Sequence, residues 1–113
     1  MSTIQTSSAL RVARVDLTTT NNTTLYTVPN RYDSIVESII VSEDSGNADT
    51  ITITITDAST AVFNLFKTKS ISANGTVELL SRDLLLTAGD ILKVQAATAN
   101  RLHVVASITE IPS

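Results

Sequence analysis

Hydrophobic and polar residues alternate with a period of two along much of this chain, most regularly over residues 50–56 (TITITIT). This period places three isoleucines on one face of a β-strand and four threonines on the other. We expect the isoleucine face to lie in a core, and the threonine face to meet either water or a neighbouring subunit.

Similar short alternating segments recur at a spacing near ten residues, and polar turns separate them. They predict strands over residues 10–17, 23–28, 34–42, 50–56, 61–66, 77–80, 84–86, 91–96 and 102–108. The Asn74-Gly75 pair between two of them predicts a hairpin, because both residues accept a positive φ. The pattern is typical of an all-β fold, an antiparallel β-sandwich of about eight strands with jelly-roll or Greek-key connections.

The segment 34–42 is apolar on both faces, with Ile35, Ile39 and Val41 expected on one side and Val36 and Ile40 on the other. Such a strand is either central in a sandwich or covered by a neighbouring subunit.

Residues 1–9 are polar and show no period, so we expect a flexible N-terminal arm followed by a single domain over residues 10–113. The N-terminus lacks the charged and apolar parts of a secretory signal, which predicts synthesis in the cytoplasm. No apolar run approaches the roughly 20 residues of a membrane helix, so no membrane partner is expected.

Composition narrows the way in which the core is built. The chain has two Tyr, two Phe, no Trp and no Cys. We therefore expect an aliphatic core that is held by packing and ladder hydrogen bonds alone, for which oligomerisation is a plausible supplement. The 8 basic and 11 acidic residues give a net charge of -3 without a basic run, which argues against nucleic acid as a partner.

Catalytic chemistry finds little support in the sequence. His103 is the only histidine and is expected on the strand face opposite Leu102 and Val104. No Gly-x-Ser-x-Gly elbow accompanies it, and the carboxylates lie mostly in turns without an aromatic platform for a sugar. We therefore predict that the protein is not an enzyme.

The acidic turn over residues 43–49 (EDSGNAD) faintly resembles a calcium loop. It lacks the full ligand spacing and the closing bidentate glutamate, so a solvated turn is the preferred interpretation. No metal and no cofactor is predicted.

Five residues besides the arm's Ile4 bear on contacts with a partner. Arg31 and Tyr32 follow Pro29 and belong to residue types that are enriched at interfaces, although a plain surface turn is the alternative. If Phe63 and Leu65 face the core, Val62 and Phe66 stand on the outer face of the same strand. The predicted contact residues are Ile4, Arg11, Arg31, Tyr32, Val62 and Phe66.

Four blocks of sequence point to a known group of proteins. They are residues 25–29 (LYTVP), 38–41 (SIIV), 75–80 (GTVELL) and 84–96 (LLLTAGDILKVQA). In this order and spacing they resemble small virion proteins of tailed bacteriophages, over about residues 24–108. Asn30 and Arg31 depart from the small residue and glycine expected after the proline.

This resemblance implies a β-sandwich with a structural, non-catalytic role on a symmetric particle. Together with the arm and the two-faced segment, it leads to the hypothesis of a capsid decoration or cement protein in the virion. The expected partners are further copies of the chain, with a homotrimer favoured, and the major capsid protein or other virion proteins. A neck, tail, baseplate or fibre component and a carbohydrate-binding sandwich module are the alternatives.

Overall fold

The computed structural model describes residues 8–113, and this part of the chain contains nine β-strands and no helix. The strands are β1 (Ala9–Asp16), β2 (Thr23–Thr27), β3 (Tyr32–Glu43), β4 (Asp49–Thr56), β5 (Val62–Ile71), β6 (Thr76–Glu78), β7 (Leu84–Leu86), β8 (Ile91–Ala96) and β9 (Leu102–Pro112). No helix in residues 8–113 has the length and apolarity needed to cross a membrane.

The strands form two antiparallel sheets. Sheet A has the order β1-β9-β3-β6, and β7 pairs with the same strand β3 beside β6. Sheet B has the order β2-β8-β4-β5. The chain changes sheet at every connection except β4–β5 and β6–β7, in the manner of a jelly roll, and the predicted β-sandwich is confirmed.

The core between the sheets is aliphatic, as the composition predicted. In β9 every second residue from Leu102 to Glu110 is buried, so the alternating residues of the sequence form one inward face of the strand. The buried apolar side chains are Leu17, Val28, Val36, Ile39, Val41, Ile51, Ile53, Ile71, Leu86, Leu92, Val94, Ala96, Leu102, Val104, Ala106 and Ile108.

A β-bulge in β3 corrects one prediction. The register against β9 shifts between Val36 and Ser38, so the strand advances by one extra residue. Val36 therefore faces the core together with Ile39 and Val41, and Ile35 points outward beside the exposed Ile40. The expected grouping of Ile35 with the inward residues was wrong.

The Asn74-Gly75 pair forms a tight turn but no hairpin, because β5 belongs to sheet B and β6 to sheet A. Asn74 has a φ of 55°, and the N–H of Gly75 donates to the carbonyl of Ser72 at 2.9 Å. A Cβ on Gly75 would contact the Ser72 hydroxyl oxygen and lie 3.0 Å from the Ser72 carbonyl oxygen, so a residue with a side chain would force this turn to shift. The local turn was predictable, but the change of sheet was not.

The predicted domain boundary falls at the start of sheet A. β1 begins at Ala9, and residues 1–7, which include the predicted contact residue Ile4, lie outside the described residues. The division into an arm and a single domain stays a prediction.

Candidate assembly surfaces

The outer face of sheet A is the first surface that the sandwich leaves uncovered. Because directly paired residues of an antiparallel sheet point to the same face, the register identifies its members. Its four cross-strand rows are Leu10-Thr109-Ile35-Leu85, Val12-Ser107-Ser38, Arg14-Val105-Ile40-Glu78 and Asp16-His103-Ser42-Thr76.

Large apolar side chains are exposed on this outer face. The exposed fraction is 80% for Leu10, 60% for Val12 and 64% for Leu85, and it is 38% for Ile40 and 37% for Val105. They belong to four different strands and are spread over three of the rows. An apolar surface of this kind on a folded domain is typical of an interaction site.

Carboxylates accompany these apolar side chains. Asp16 and Glu78 lie in the rows, and Glu37 accepts a hydrogen bond from the hydroxyl of Thr109 at 3.0 Å. Asp33 pairs with Ile111 and Asp44 follows the end of β3. The four rows contain one arginine, Arg14, so acidic side chains outnumber basic ones on the outer face of sheet A.

His103 lies between two of these carboxylates. Its Nε2 is 3.1 Å from Oδ1 of Asp44, and its Nδ1 is 3.5 Å from Oδ1 of Asp16. The two ring nitrogens thus engage two different acids, one on the edge strand β1 and one in the turn after β3. His103 points away from the core, as the sequence predicted.

The outer face of sheet B is different in chemistry. It carries the threonines of β4, of which Thr50, Thr52 and Thr56 are half-buried and Thr54 is only 7% exposed. Two open depressions of about 470 and about 330 Å³ meet at Thr50. Their lining consists mainly of small, uncharged side chains and includes the buried Asp49 in the larger one.

One edge of sheet B is β5, which is interrupted by two register shifts against β4. The hydroxyl of Thr52 accepts the N–H of Thr68, a residue with a φ of 52°, at 3.0 Å. Val62 is 59% and Phe63 is 53% exposed on this strand. Bulges and lysines on an edge strand oppose indiscriminate strand pairing.

The structure separates the predicted contact residues. Val62 is exposed opposite Thr56, as expected for an outer residue. Phe66 instead pairs with the buried Ile53 and packs against the core. Its expected outward orientation was wrong, because the two register shifts in β5 change which residues face inward.

Arg31 lies in the turn that leads into β3, and Tyr32 is the first residue of that strand. Arg31 is exposed with a φ of 67°, and its carbonyl accepts the N–H of Ser113 at 2.9 Å. It therefore adopts the left-handed conformation that favours glycine. Tyr32 is half-buried against the core. Participation of either residue in a partner contact stays a prediction.

The Tyr26 cluster, formed by Tyr26, Ser34, Glu110 and Arg11, joins the two sheets at one end. The Tyr26 hydroxyl on sheet B is 2.7 Å from the Ser34 hydroxyl and donates to Glu110 Oε2 at 2.5 Å on sheet A. Burial and the hydrogen bond to Glu110 raise the pKa of Tyr26 to about 12. Arg11, a predicted contact residue, binds Glu110 Oε1 through its Nε at 3.0 Å.

Glu43 organises the opposite end, where the β3–β4 and β5–β6 connections cross between the sheets. Its carboxylate accepts N–H groups from Ser45, Gly46 and Asn47 in one connection and from Asn74 in the other, at 2.8 to 3.1 Å. Burial raises its pKa, but the hydrogen bonds from Ser45, Asn74 and Gly46 outweigh burial and lower the pKa to about 2.

This arrangement gives the acidic turn over residues 43–49 a structural explanation. The Glu43 oxygens point at the turn's own N–H groups, and the buried Asp49 accepts the N–H of Thr98 at 3.1 Å. Among residues 8–113, no group of three or more His, Cys, Asp or Glu side chains has an arrangement that could hold a metal ion.

Sequence reasoning missed three features of these surfaces. The first is the exposed set Leu10, Val12 and Leu85. When each strand is read alone, these residues look like part of an ordinary alternating pattern. The second is the Tyr26 cluster, whose members are far apart in the chain. The third is the role of Glu43, for which the Ser-Gly-Asn turn behind a strand-terminal acid was the available signal.

Comparison with known proteins bears on the fold. The sequence matches no protein-family model and no curated protein. Among solved structures, a chain of the acidic stable capsid of Helicobacter pylori bacteriophage KHP30 superposes with a TM-score of 0.58 at 15% identity. That match covers 97% of this chain and 92% of the other.

Two further structures are similar. A chain from Bacillus endospore appendages, described as disulfide-linked pili, gives a TM-score of 0.58 at 10% identity, over 100% of this chain and 96% of the other. A pentameric capsid protein from metagenomic phage sequences gives 0.46 at 23% identity, over 90% and 59%. The first two matches span nearly the whole of each chain, and at these identities they establish that this chain shares their fold.

Proposed function

We propose that this protein is a non-catalytic structural protein of a bacteriophage virion, where it decorates or cements the capsid as an oligomer. The observation that carries the proposal is the outer face of sheet A, with Leu10, Val12 and Leu85 more than half exposed. A protein that binds its neighbours in a shell needs such an apolar surface, because contact then removes it from water.

Two independent likenesses support a phage particle as the assembly. The sequence blocks that begin at LYTVP resemble small virion proteins of tailed phages, and the fold is similar to that of a chain in a phage capsid. The fold is equally similar to a chain of disulfide-linked pili. This chain has no cysteine among its 113 residues, so these residues cannot form disulfide links of that kind.

In this role the protein stabilises the particle by binding to its neighbours. Decoration subunits bury apolar area and polar contacts against the shell and against one another, and rupture of the particle then has to break those contacts. A closed homotrimer is the favoured form, with the major capsid protein or another virion protein as the second partner. The protein is made in the host cytoplasm and resides in the virion.

Quantitative mass spectrometry of purified particles tests this role. Virions made from the genome that encodes this chain should contain hundreds of copies, scaled to the major capsid protein. Particles that lack the protein should rupture at a lower temperature than complemented particles. Tens of copies or fewer would indicate a neck, tail, baseplate or fibre part instead, and absence of the protein would overturn the virion role.

The carbohydrate-binding alternative is weakened by where the tyrosines lie. Both Tyr26 and Tyr32 pack against the core, and the Tyr26 hydroxyl is engaged in the Tyr26 cluster. Neither ring is free to form an exposed stacking platform for a sugar. Binding to a glycan array that Tyr32→Ala abolishes would favour this alternative over the virion role.

A further inference from the structure

The further inference rests on the proposed function and concerns how copies of the chain contact one another. It starts from an uneven distribution of charge between the two sheets. All three lysines of the sequence, Lys67, Lys69 and Lys93, lie on strands of sheet B. The carboxylate on those strands, Asp49, is buried and accepts a backbone N–H. The exposed charges on the strands of sheet B are therefore positive, and the acids of the adjoining turns, Asp57 and Asp90, accept N–H groups within those turns.

Sheet A has the opposite sign. Its outer face and the adjoining turn present five acids and one arginine. The acids are Asp16, Asp33, Glu37, Asp44 and Glu78. Contact between the outer faces of two A sheets would bring like charges together, which costs free energy and selects against that pairing.

Contact between sheet A of one copy and sheet B of the next brings opposite charges together. The apolar surfaces also match in this arrangement. Leu10, Val12 and Leu85 are exposed on sheet A, and Val62, which pairs with the outward-facing Thr56, is exposed on β5, the strand that carries two of the lysines. The same contact therefore covers apolar area on both partners and pairs acids with lysines around it.

We propose that the outer face of sheet A binds the lysine-bearing side of sheet B, formed by the edge strand β5 and the outer faces of β4 and β8, on a second copy of this chain. Such a contact is heterologous, since the two partners use different surfaces. It closes into a ring when the rotation between neighbours divides a full turn, and the favoured trimer is one such ring.

Charge reversal on the purified full chain tests this contact. One triple variant carries Lys67→Glu, Lys69→Glu and Lys93→Glu, and the other carries Asp16→Lys, Glu37→Lys and Asp44→Lys. Sedimentation velocity at micromolar concentration and low salt should show self-association of the wild type, weakened by added salt. Each variant alone should associate about tenfold more weakly or worse. An equimolar mixture should regain association into dimers or rings with an even number of subunits, because each variant then meets a complementary surface on the other variant. A closed trimer should not fully re-form, since it would keep one contact between two like variants.

Circular dichroism establishes that the variants remain folded, and Arg82→Glu serves as the control. Arg82 is an exposed cation in the turn before β7 and belongs to none of the four outer-face rows, so its reversal should affect association far less than either triple variant does. A wild type that stays monomeric, or a mixture of folded variants that does not reassociate, would overturn the proposed contact.

Failure of the proposed contact can be distinguished from failure of the proposed role in the virion. Many copies in particles together with no recovery in the mixture would mean that only the contact is wrong. Recovery in the mixture together with no copies in particles would mean that only the virion role is wrong.

Discussion

The two outer faces of this sandwich differ more than the two inner faces do. Inward, both sheets present Ile, Leu, Val and Ala, and either could belong to any aliphatic core. Outward, sheet A presents acids and exposed apolar side chains, whereas sheet B presents threonines and Lys93, with Lys67 and Lys69 on its edge strand β5. Folding restricts which residues the inner faces can carry. The residues of the outer faces are less restricted, so they can determine which surfaces of neighbouring copies bind.

The difference also shows how the sheets are kept together. Apolar packing fills the middle, and a polar set lies at each end, the Tyr26 cluster at one and Glu43 at the other. Both sets connect groups that belong to different sheets or to the connections between them. Substitutions in the core, in these polar sets and in a turn should therefore have effects of decreasing size.

Ile53→Asp should have the largest effect, because it places a charge in the common core of both sheets. Ile53 is fully buried, and an uncompensated buried charge costs more than about 4 kcal/mol. We expect loss of the folded state, measured by circular dichroism and chemical denaturation. Thr50→Asp is the control on the outer face of the same strand and should remain folded. A folded Ile53→Asp protein would contradict the described core.

Acid should weaken the end of the sandwich that Glu43 holds. The pKa of Glu43 is about 2 in the folded protein and near 4.5 in the unfolded chain. Its contribution to stability is therefore complete above about pH 5 and is lost as the pH falls toward 2. Burial raises the pKa of Glu78, but hydrogen bonds from Ser38 and Ile39 outweigh burial and lower it, which adds to the same trend.

Denaturation midpoints measured between pH 7 and pH 2 test this role. Glu43→Gln should be less stable than the wild type at pH 7 and should show a shallower loss in acid. Glu37→Gln is the matched control, since that carboxylate lies on the outer face and accepts a hydrogen bond from Thr109. Equal acid sensitivity in Glu43→Gln and the wild type would argue against this role for Glu43.

Tyr26→Phe should loosen the other end by about 1 to 3 kcal/mol, because it removes the hydroxyl that links sheet B to Ser34 and Glu110. The raised pKa of about 12 adds a dependence on pH. The unfolded chain ionises near pH 10 and the folded protein only near 12, so stability falls over that range.

Chemical denaturation at pH 8 and pH 11 measures both effects. The phenylalanine variant should lose the part of the alkaline decline that Tyr26 causes. Tyr32→Phe, whose ring also packs against the core, is the control and should cost less than half as much. An equal loss in both variants would mean that the hydroxyl does not join the sheets.

Arg31→Gly should have the smallest effect, and it should be stabilising. Arg31 has a φ of 67°, a conformation that costs a residue with a side chain about 1 kcal/mol more than glycine. The greater freedom of glycine in the unfolded chain offsets part of this gain. A rise in the denaturation midpoint would confirm it. Asn30→Gly is the control at a neighbouring position without positive φ, and a larger rise there would contradict the assignment.

Much of the fold was predictable because a strand's alternation is a local property. The bounds of β7 and β8 match the predicted segments 84–86 and 91–96. The outward position of His103 and the inward face of β9 likewise follow from the sequence pattern. The aliphatic composition of the core follows from the scarcity of aromatic residues.

Pairing between strands decided the rest. A β-bulge is a property of two strands together, so neither Val36 on the core side nor Phe66 against Ile53 was readable from one segment. The same holds for Asn74-Gly75, whose turn is local but whose flanking strands choose partners in different sheets.

The sequence by itself therefore determined the strands, the aliphatic core and the turn chemistry, since each depends on neighbours within a few residues. Only the tertiary structure decided that the acids and exposed apolar residues gather on sheet A while the lysines gather on sheet B. The physical reason is that strands distant in the chain become neighbours in a sheet, and a surface is the sum of what those neighbours point outward.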